Sequence, residues 1–158
     1  MKHPLQNAHR IQVAIPEDFD AWLALAGEVE HLFGPMCDVP EFRNALKSAI
    51  AESRAFCVKD VRGDNQTFIE GGILISRSPN AIAWFAVSTS SRGRGIGSSL
   101  LSYALSCFSG KDPVYVQTFA PGFKAGMPAR YLYQKAGFID LEPKALTPAG
   151  VPTVLMVK

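Results

Sequence analysis

The chain is poor in the residues that most quickly fix a protein's class. Cysteine occurs three times in 158 residues, as Cys37, Cys57 and Cys107. That odd number, with no Cys-x-x-Cys pair, excludes a disulfide framework and offers no zinc signature. Cys57 falls in a strand pattern and Cys107 on the apolar side of a helix, so both read as small core residues, whereas Cys37 reads as an exposed thiol. The three histidines, His3, His9 and His31, lack any His-x-x-x-His spacing, and no metal is expected. Charge of one sign is also scarce. Sixteen Lys and Arg against fourteen Asp and Glu leave a net charge of +2, scattered along the chain. Without a basic stripe no nucleic-acid partner is expected, although a pI near 8.5 suits a small polyanionic ligand. The longest apolar runs are about seven residues, short of the roughly 20 that a membrane helix needs. The opening Met1 to Arg10 lacks the apolar core of a signal peptide, so cytoplasmic residence is the default. There is no repeat and no linker, and 158 residues with 47% hydrophobic content suit a single domain over 1–158 with a proper core.

What the chain does have is a run of alternating glycines and arginines, Ser91-Arg92-Gly93-Arg94-Gly95-Ile96-Gly97-Ser98. It leads into a helix whose apolar positions Ile96, Leu100, Tyr103, Ala104, Cys107 and Phe108 recur at helical spacing. Backbone N–H groups approach a phosphate oxygen closely only where no Cβ intervenes, and a helix start leaves about four such donors unpaired beside partial positive charge. Such an end is an anion site. Arg92, Gly93, Arg94, Gly95, Ile96, Gly97 and Ser98 therefore read as a pyrophosphate cradle, with a chance glycine-rich surface loop as the competing reading. A dinucleotide fingerprint counted from Gly93 and Gly95 wants glycine or alanine where Ser98 stands. Its ribose-binding acid should end the next strand, but Asp112 precedes Val114-Tyr115-Val116. The Gly-Lys-Ser/Thr of a P-loop is absent.

Two segments resemble one family. Arg92-x-x-Gly95-x-Gly97 resembles the Arg/Gln-x-x-Gly-x-Gly/Ala signature of the GNAT acetyltransferases, and the preceding run Ala81 to Val87 resembles their fourth strand. Downstream, Ala129-Arg130-Tyr131-Leu132-Tyr133-Gln134-Lys135-Ala136-Gly137-Phe138 is similar to the family's Ala-x-x-x-Tyr-x-x-x-Gly-Phe segment. With the element order, the resemblance covers nearly the whole chain.

That order follows from periodicity and punctuation. Ile11 to Ile15 alternates as a first strand. Pro16 and Asp18 open a helix through about Phe33, stopped by Gly34-Pro35, and Pro40 starts a second. Ala55 to Val61 and Thr67 to Ser76 are strand-like runs around Arg62-Gly63-Asp64-Asn65, a hairpin signal. A strand ending at Val87, the glycine loop, a third helix and Val114 to Thr118 make a parallel β–α–β unit. A fourth helix from about Pro128 ends at Gly137 as its C-terminal cap, and strands Phe138 to Leu141 and Pro152 to Val157 close the chain. The reading is α/β (α+β). The resemblance implies the GNAT fold, a mixed sheet of about six to seven strands with four helices, splayed at strands 4 and 5.

The resemblance also implies a chemistry: acetyl-CoA as co-substrate and direct attack of a primary amine on the thioester. Phe85, Ala86 and Val87 would run beside the pantetheine as a strand-like partner. Tyr133 would be the general acid, since a phenol of pKa near 10 stays protonated at neutral pH while able to donate to a sulfur anion. Its bland alternative is a core aromatic, and Tyr131 is the weaker candidate. An amine of pKa near 10.4 is neutral in only roughly one molecule in 2,500 at pH 7, so a base or a water path is needed. Glu28, His31 and Glu70 are candidates for that base or for binding the amine, and a solvated helix face explains the first two as well. The family often carries an asparagine seven residues before the tyrosine, where this chain has Gly126. The acceptor, a small-molecule or peptide amine, would be framed by Glu30 to Glu41 and by Phe119 to Met127. Members often pair through their C-terminal strands, and Pro152 to Val157 offers an apolar edge for a homodimer. A non-catalytic acyl-CoA-binding module of the same fold is the alternative function, and a dinucleotide oxidoreductase is the third reading.

Overall fold

The structure is a computed structural model that describes residues 9–158. Met1–Ala8, including His3 and most of the segment read for a signal core, lie outside the described residues. The strand-like runs become β1 (Gln12–Val13), β2 (Ala55–Arg62), β3 (Gln66–Ser76), β4 (Asn80–Val87), β5 (Val114–Phe119), β6 (Ile139–Lys144) and β7 (Thr153–Val157). They form one sheet in the order β1-β2-β3-β4-β5-β7-β6, antiparallel except for β4 beside β5. The helices are α1 (Phe19–Gly27), α2 (Glu30–Phe33), α3 (Pro40–Ala51), α4 (Ile96–Ser106) and α5 (Met127–Lys135).

There is one helix more than the sequence leads one to expect, because the helix anticipated through Phe33 breaks after Gly27. Glu28 and Val29 close with short-range bonds to the Leu25 and Ala26 carbonyls, and Val29 leaves the helical region at φ −113°. Glycine is the costliest non-proline residue in a helix, and the Glu28 carboxylate is engaged elsewhere, as described below. The chain restarts as the single turn α2.

Helices cover both faces of the sheet, which is why β3 reads as a continuous buried run instead of an alternating one. On one face α4 and α5 bury Ile96, Leu100, Leu101, Ala104 and Tyr133 against Phe56, Val58, Ile73, Ile75, Val116 and Met156. On the other, α1 and α3 bury Trp22, Leu25, Ala26, Leu46 and Ile50 against Ala55, Cys57, Ile69 and Leu74. The ring of Trp22 lies directly on Gly72, where a Cβ would come within 2.7 Å of it.

Two bulges break the ladder at consequential places. The pairs Val58 with Gly71 and Lys59 with Ile69 leave Glu70 of β3 unopposed. The pairs Leu74 with Trp84 and Ile75 with Ile82 leave Ala83 of β4 unopposed. A bulge bends its strand and increases the local twist. β4 pairs with β5 only from Asn80 to Ile82, so the two strands part at the Ala83 bulge.

The C-terminal segment corrects one expectation. β7 is an inner strand, bonded to β5 on one side and β6 on the other, so the apolar edge read at Pro152 to Val157 is not exposed. The edge belongs to β6, which is interrupted by an unopposed Leu141 and by Pro143 and carries Asp140, Glu142 and Lys144. These features blunt edge-to-edge pairing, and pairing of two copies through that segment loses its physical basis.

Arg130 fixes α5 to this side of the sheet. Its guanidinium, 4% exposed, donates in bidentate fashion to Asp140 at 2.9 and 2.8 Å and to the Phe119 carbonyl at 3.1 Å. Removing the acid leaves a buried cation with only neutral partners, the Phe119 carbonyl and the Met156 sulfur. Asp140→Ala is therefore expected to lower unfolding stability by about 1–3 kcal/mol in urea denaturation, whereas Glu142→Ala on the same exposed strand changes it by less than about 0.5 kcal/mol.

Candidate active site

The parting of β4 and β5 opens a cavity of about 380 Å³ in one side of the sheet. Its floor is the unpaired side of β4 at Phe85, Ala86 and Val87, and one end is the start of α4 with Arg92, Gly93, Gly95, Ile96, Gly97 and Ser98. Gly93 and Gly95 both have left-handed φ, at +78° and +80°, and a Cβ on either would project into open space. Gly95 is the N-cap and no side chain caps the helix; the first intrahelical acceptor is the Gly95 carbonyl, which takes the Ser99 N–H at 3.1 Å. The N–H groups of Ile96, Gly97 and Ser98 are thus left without intrahelical partners at the positive end of the helix dipole. Gly97 serves packing as well, for a Cβ there would sit 3.0 Å from Leu132 Cδ1 and 3.6 Å from Phe85 Cζ. These features fit a pyrophosphate.

The two arginines of the loop differ. Arg92 is exposed and lines the cavity. Arg94 does not line it; its guanidinium pairs with Glu70, which the β3 bulge turns toward the loop. Glu70 also accepts from the buried Ser91 hydroxyl at 3.4 Å. Its carboxylate is therefore a brace under the loop, already paired with a cation.

A second brace comes from the break between α1 and α2. Glu28 accepts from the hydroxyl of Ser88 at 2.9 Å and from the Thr89 N–H at 3.0 Å, and Ser88 is 2% exposed. Glu28 and His31, read as neighbours on one helix, are separated by the helix break, and His31 is exposed away from the cavity lining. The polar Ser88-Thr89 pair closing an apolar strand was a signal for such a tie, but its partner sixty residues away was not legible.

Tyr133 lies on the cavity wall and is 4% exposed. It packs edge-on against Phe85 at 6.1 Å and Phe138 at 5.6 Å between ring centroids, and its hydroxyl bonds no described residue. Burial pushes the phenol well above its ordinary range, so it holds its proton at every physiological pH. The core-aromatic and cavity-wall readings both describe it. Tyr131 is 62% exposed at the mouth of the cavity.

The α2 region and the segment after β5, the two stretches expected to frame an acceptor, both reach the cavity, through Leu32, Phe33, Phe119 and Ala125. That segment is packed: Phe123 lies against Phe119, which presses on Gly126, where a Cβ would fall 2.3 Å from the Phe119 Cβ. No side chain larger than hydrogen fits at Gly126, asparagine included. Glu30 turns away to accept the Cys37 N–H at 3.2 Å. Cys37, read as an exposed thiol, is only partly exposed and donates to the Leu23 carbonyl at 3.1 Å; burial and Glu30 push it up to about 11, so it is not a reactive thiolate. Cys57 is fully buried as read, while Cys107 is only partly so.

Residues 51–140 match the acetyltransferase (GNAT) domain family. The chain belongs to the GNAT acetyltransferases. Its fold is that of a GNAT-family acetyltransferase from Bacillus cereus, at 22% identity over 94% of this chain and 95% of the other, with a TM-score of 0.67. The NatC complex bound to a Gag peptide and CoA matches at 16% identity, 94% and 96% coverage and a TM-score of 0.72. A ribosomal-protein-alanine N-acetyltransferase from Brucella melitensis matches at 16%, 94% and 98%, and 0.70. No curated protein sequence matches the chain. GNAT acetyltransferases use acetyl-CoA, which has the pyrophosphate that the start of α4 fits. No described helix in this GNAT chain is long and apolar enough to cross a membrane.

Two outcomes follow from this GNAT cradle. Gly97→Val should lower CoA affinity at least about tenfold by titration calorimetry, because its side chain meets Leu132 and Phe85 and shifts the start of α4; circular dichroism checks that the variant stays folded. Glu28→Gln removes the charge that Ser88 and Thr89 bond while keeping its shape. It should weaken CoA binding by about two- to tenfold with little change in melting temperature.

Proposed function

We propose that this chain transfers the acetyl group of acetyl-CoA to a primary amine by direct attack, without a covalent enzyme intermediate. The observation that carries the reading is the buried, protonated phenol of Tyr133 on the wall of a cavity that joins a phosphate-binding helix start to an open strand edge. Acetyl-CoA supplies an activated thioester. The N–H groups at the start of α4, with Arg92, hold its pyrophosphate. The side of Phe85 to Val87 that faces away from β3 orients the pantetheine as a strand would, and Tyr133 Oη holds a proton for the departing sulfur.

The proton of the amine takes another route. Among the described residues lining the cavity there is no carboxylate and no histidine, and Glu28 and Glu70 are both tied in braces. Deprotonation therefore falls to water at the open mouth near Tyr131. The activity should accordingly rise with pH toward the pKa of the amine, with no falling limb from Tyr133 below about pH 10. A non-catalytic acyl-CoA-binding module would bind the same ligand without turnover.

Tyr133→Phe keeps the ring and its packing on Phe85 and Phe138 but deletes the hydroxyl. Turnover should fall by about 10²-fold or more with acetyl-CoA affinity nearly unchanged, while Tyr131→Phe falls far less. Full turnover by Tyr133→Phe on an amine that the wild type acetylates would return Tyr133 to a packing role.

A further inference from the structure

The end of the cavity away from the phosphate cradle has a composition that selects its acceptor. Val29, Leu32, Phe33, Phe119, Ala125 and Tyr131 make its wall, and the one charged residue among the described lining residues is Arg92, on the cradle side. Of the acids nearby in the chain, Glu28 is bonded by Ser88 and Thr89, Glu30 by the Cys37 N–H and Glu70 by Arg94, and neither these nor the exposed Asp38 and Glu41 line the cavity. No carboxylate therefore stands on the wall to receive a second cation.

The wall is also fixed in place. The rings of Phe33 and Phe119 lie 5.1 Å apart at 35°, and Phe123 backs Phe119 at 5.6 Å. The Thr147 hydroxyl donates to the Leu32 carbonyl at 2.9 Å, and Pro148 rests on Gly34, so the segment between β6 and β7 pins α2 against the sheet. An aromatic pair held by three separate segments of the chain presents a preformed apolar face, which repays a matching apolar group without the cost of ordering a loop.

We infer that the acceptor is a monoamine whose amino-bearing carbon frame ends in an aromatic or branched apolar group, and that polyamines and aminoglycosides are rejected. The inference rests on the reading of the chain as an N-acetyltransferase, and it names the part of the acceptor that the site recognises. The apolar group lies on Phe33 and Phe119. An additional ammonium there would lose its water with no anion in return. A free arylalkylamine and a peptide α-amine led by phenylalanine present the same chemistry.

The test compares 2-phenylethylamine, a Phe-Ala-Ala peptide, ethylamine and putrescine as acceptors by chromatography of the acetylated products. In parallel, titration calorimetry with CoA present measures binding of N-acetyl-2-phenylethylamine and N-acetylputrescine. Burial of one phenyl group predicts that kcat/KM for 2-phenylethylamine or for the peptide exceeds those for ethylamine and putrescine by about tenfold to a hundredfold. The better of the two aromatic acceptors identifies the source, and either supports the inference. Phe33→Leu and Phe33→Ala should erode the aromatic preference in that order, the conservative variant keeping the fold if the smaller one does not. If acetyl-CoA is turned over but putrescine equals or outruns the aromatic acceptors, the apolar selection is overturned and N-acetyl transfer stands. If no amine is acetylated yet the aromatic product binds, and Phe33→Leu weakens it, the selection stands and the transfer reading falls. Failure of both acetylated ligands to bind overturns it.

Discussion

Everything the site does depends on the parting of β4 and β5 after Ile82. Three paired residues hold the two parallel strands together, then the bulge at Ala83 turns β4 and its backbone loses a neighbour. In an intact sheet, those N–H and C=O groups of Phe85 to Val87 that point away from β3 would be satisfied by β5 and unavailable. Parted, that side of β4 lines the cavity, where the Val87 carbonyl takes the Arg92 Nε–H at 3.4 Å. The same divergence brings the start of α4, the wall of α5 and the turn α2 to one opening, because each follows or packs against an end of the two strands.

An opening in a sheet is a weakness, and the structure braces it from every side. Glu28 ties the end of β4 to the α1–α2 junction, Glu70 with Arg94 holds the loop from beneath, and Arg130 fastens α5 to the end of β5 and to β6. These groups differ in exposure and so in worth. The Arg94 side chain is half exposed, and its pair is softened by solvent; Arg130 is almost wholly buried and its bidentate bond is not. The braces explain why acids that a sequence reader would nominate as bases are unavailable for that task.

Burial decides the chemistry in the remaining space. A phenol against Phe85 and Phe138 stays protonated because the phenolate would be desolvated. The apolar wall around Phe33 and Phe119 penalises charge in the same way. One low-dielectric environment thus keeps the phenol protonated and, in the proposed function, disfavours a substrate with surplus cations.

Much of this was legible in the linear chain. The glycine-arginine run, the hairpin at Gly63 to Asn65, the Gly137 cap and the Tyr-x-x-x-Gly-Phe segment are local signals, since turn conformations and helix ends are set by a few adjacent residues. They place the glycine loop at the start of α4, Tyr133 on α5 and the strands in their observed order along the chain. Sequence spacing could not say that β7 would insert between β5 and β6, that the first helix would break at Gly27, or that Arg94 would face Glu70 and not the cavity. Those outcomes join residues tens of positions apart, and they are settled by which pairings satisfy buried polar groups once the sheet has closed. By itself the sequence determined the glycine loop, the helix it opens and the Tyr133 segment, because those parts are written in contiguous backbone chemistry. Only the tertiary structure decided which charges remain free inside it, because ion pairs and burial exist only between segments brought together by folding.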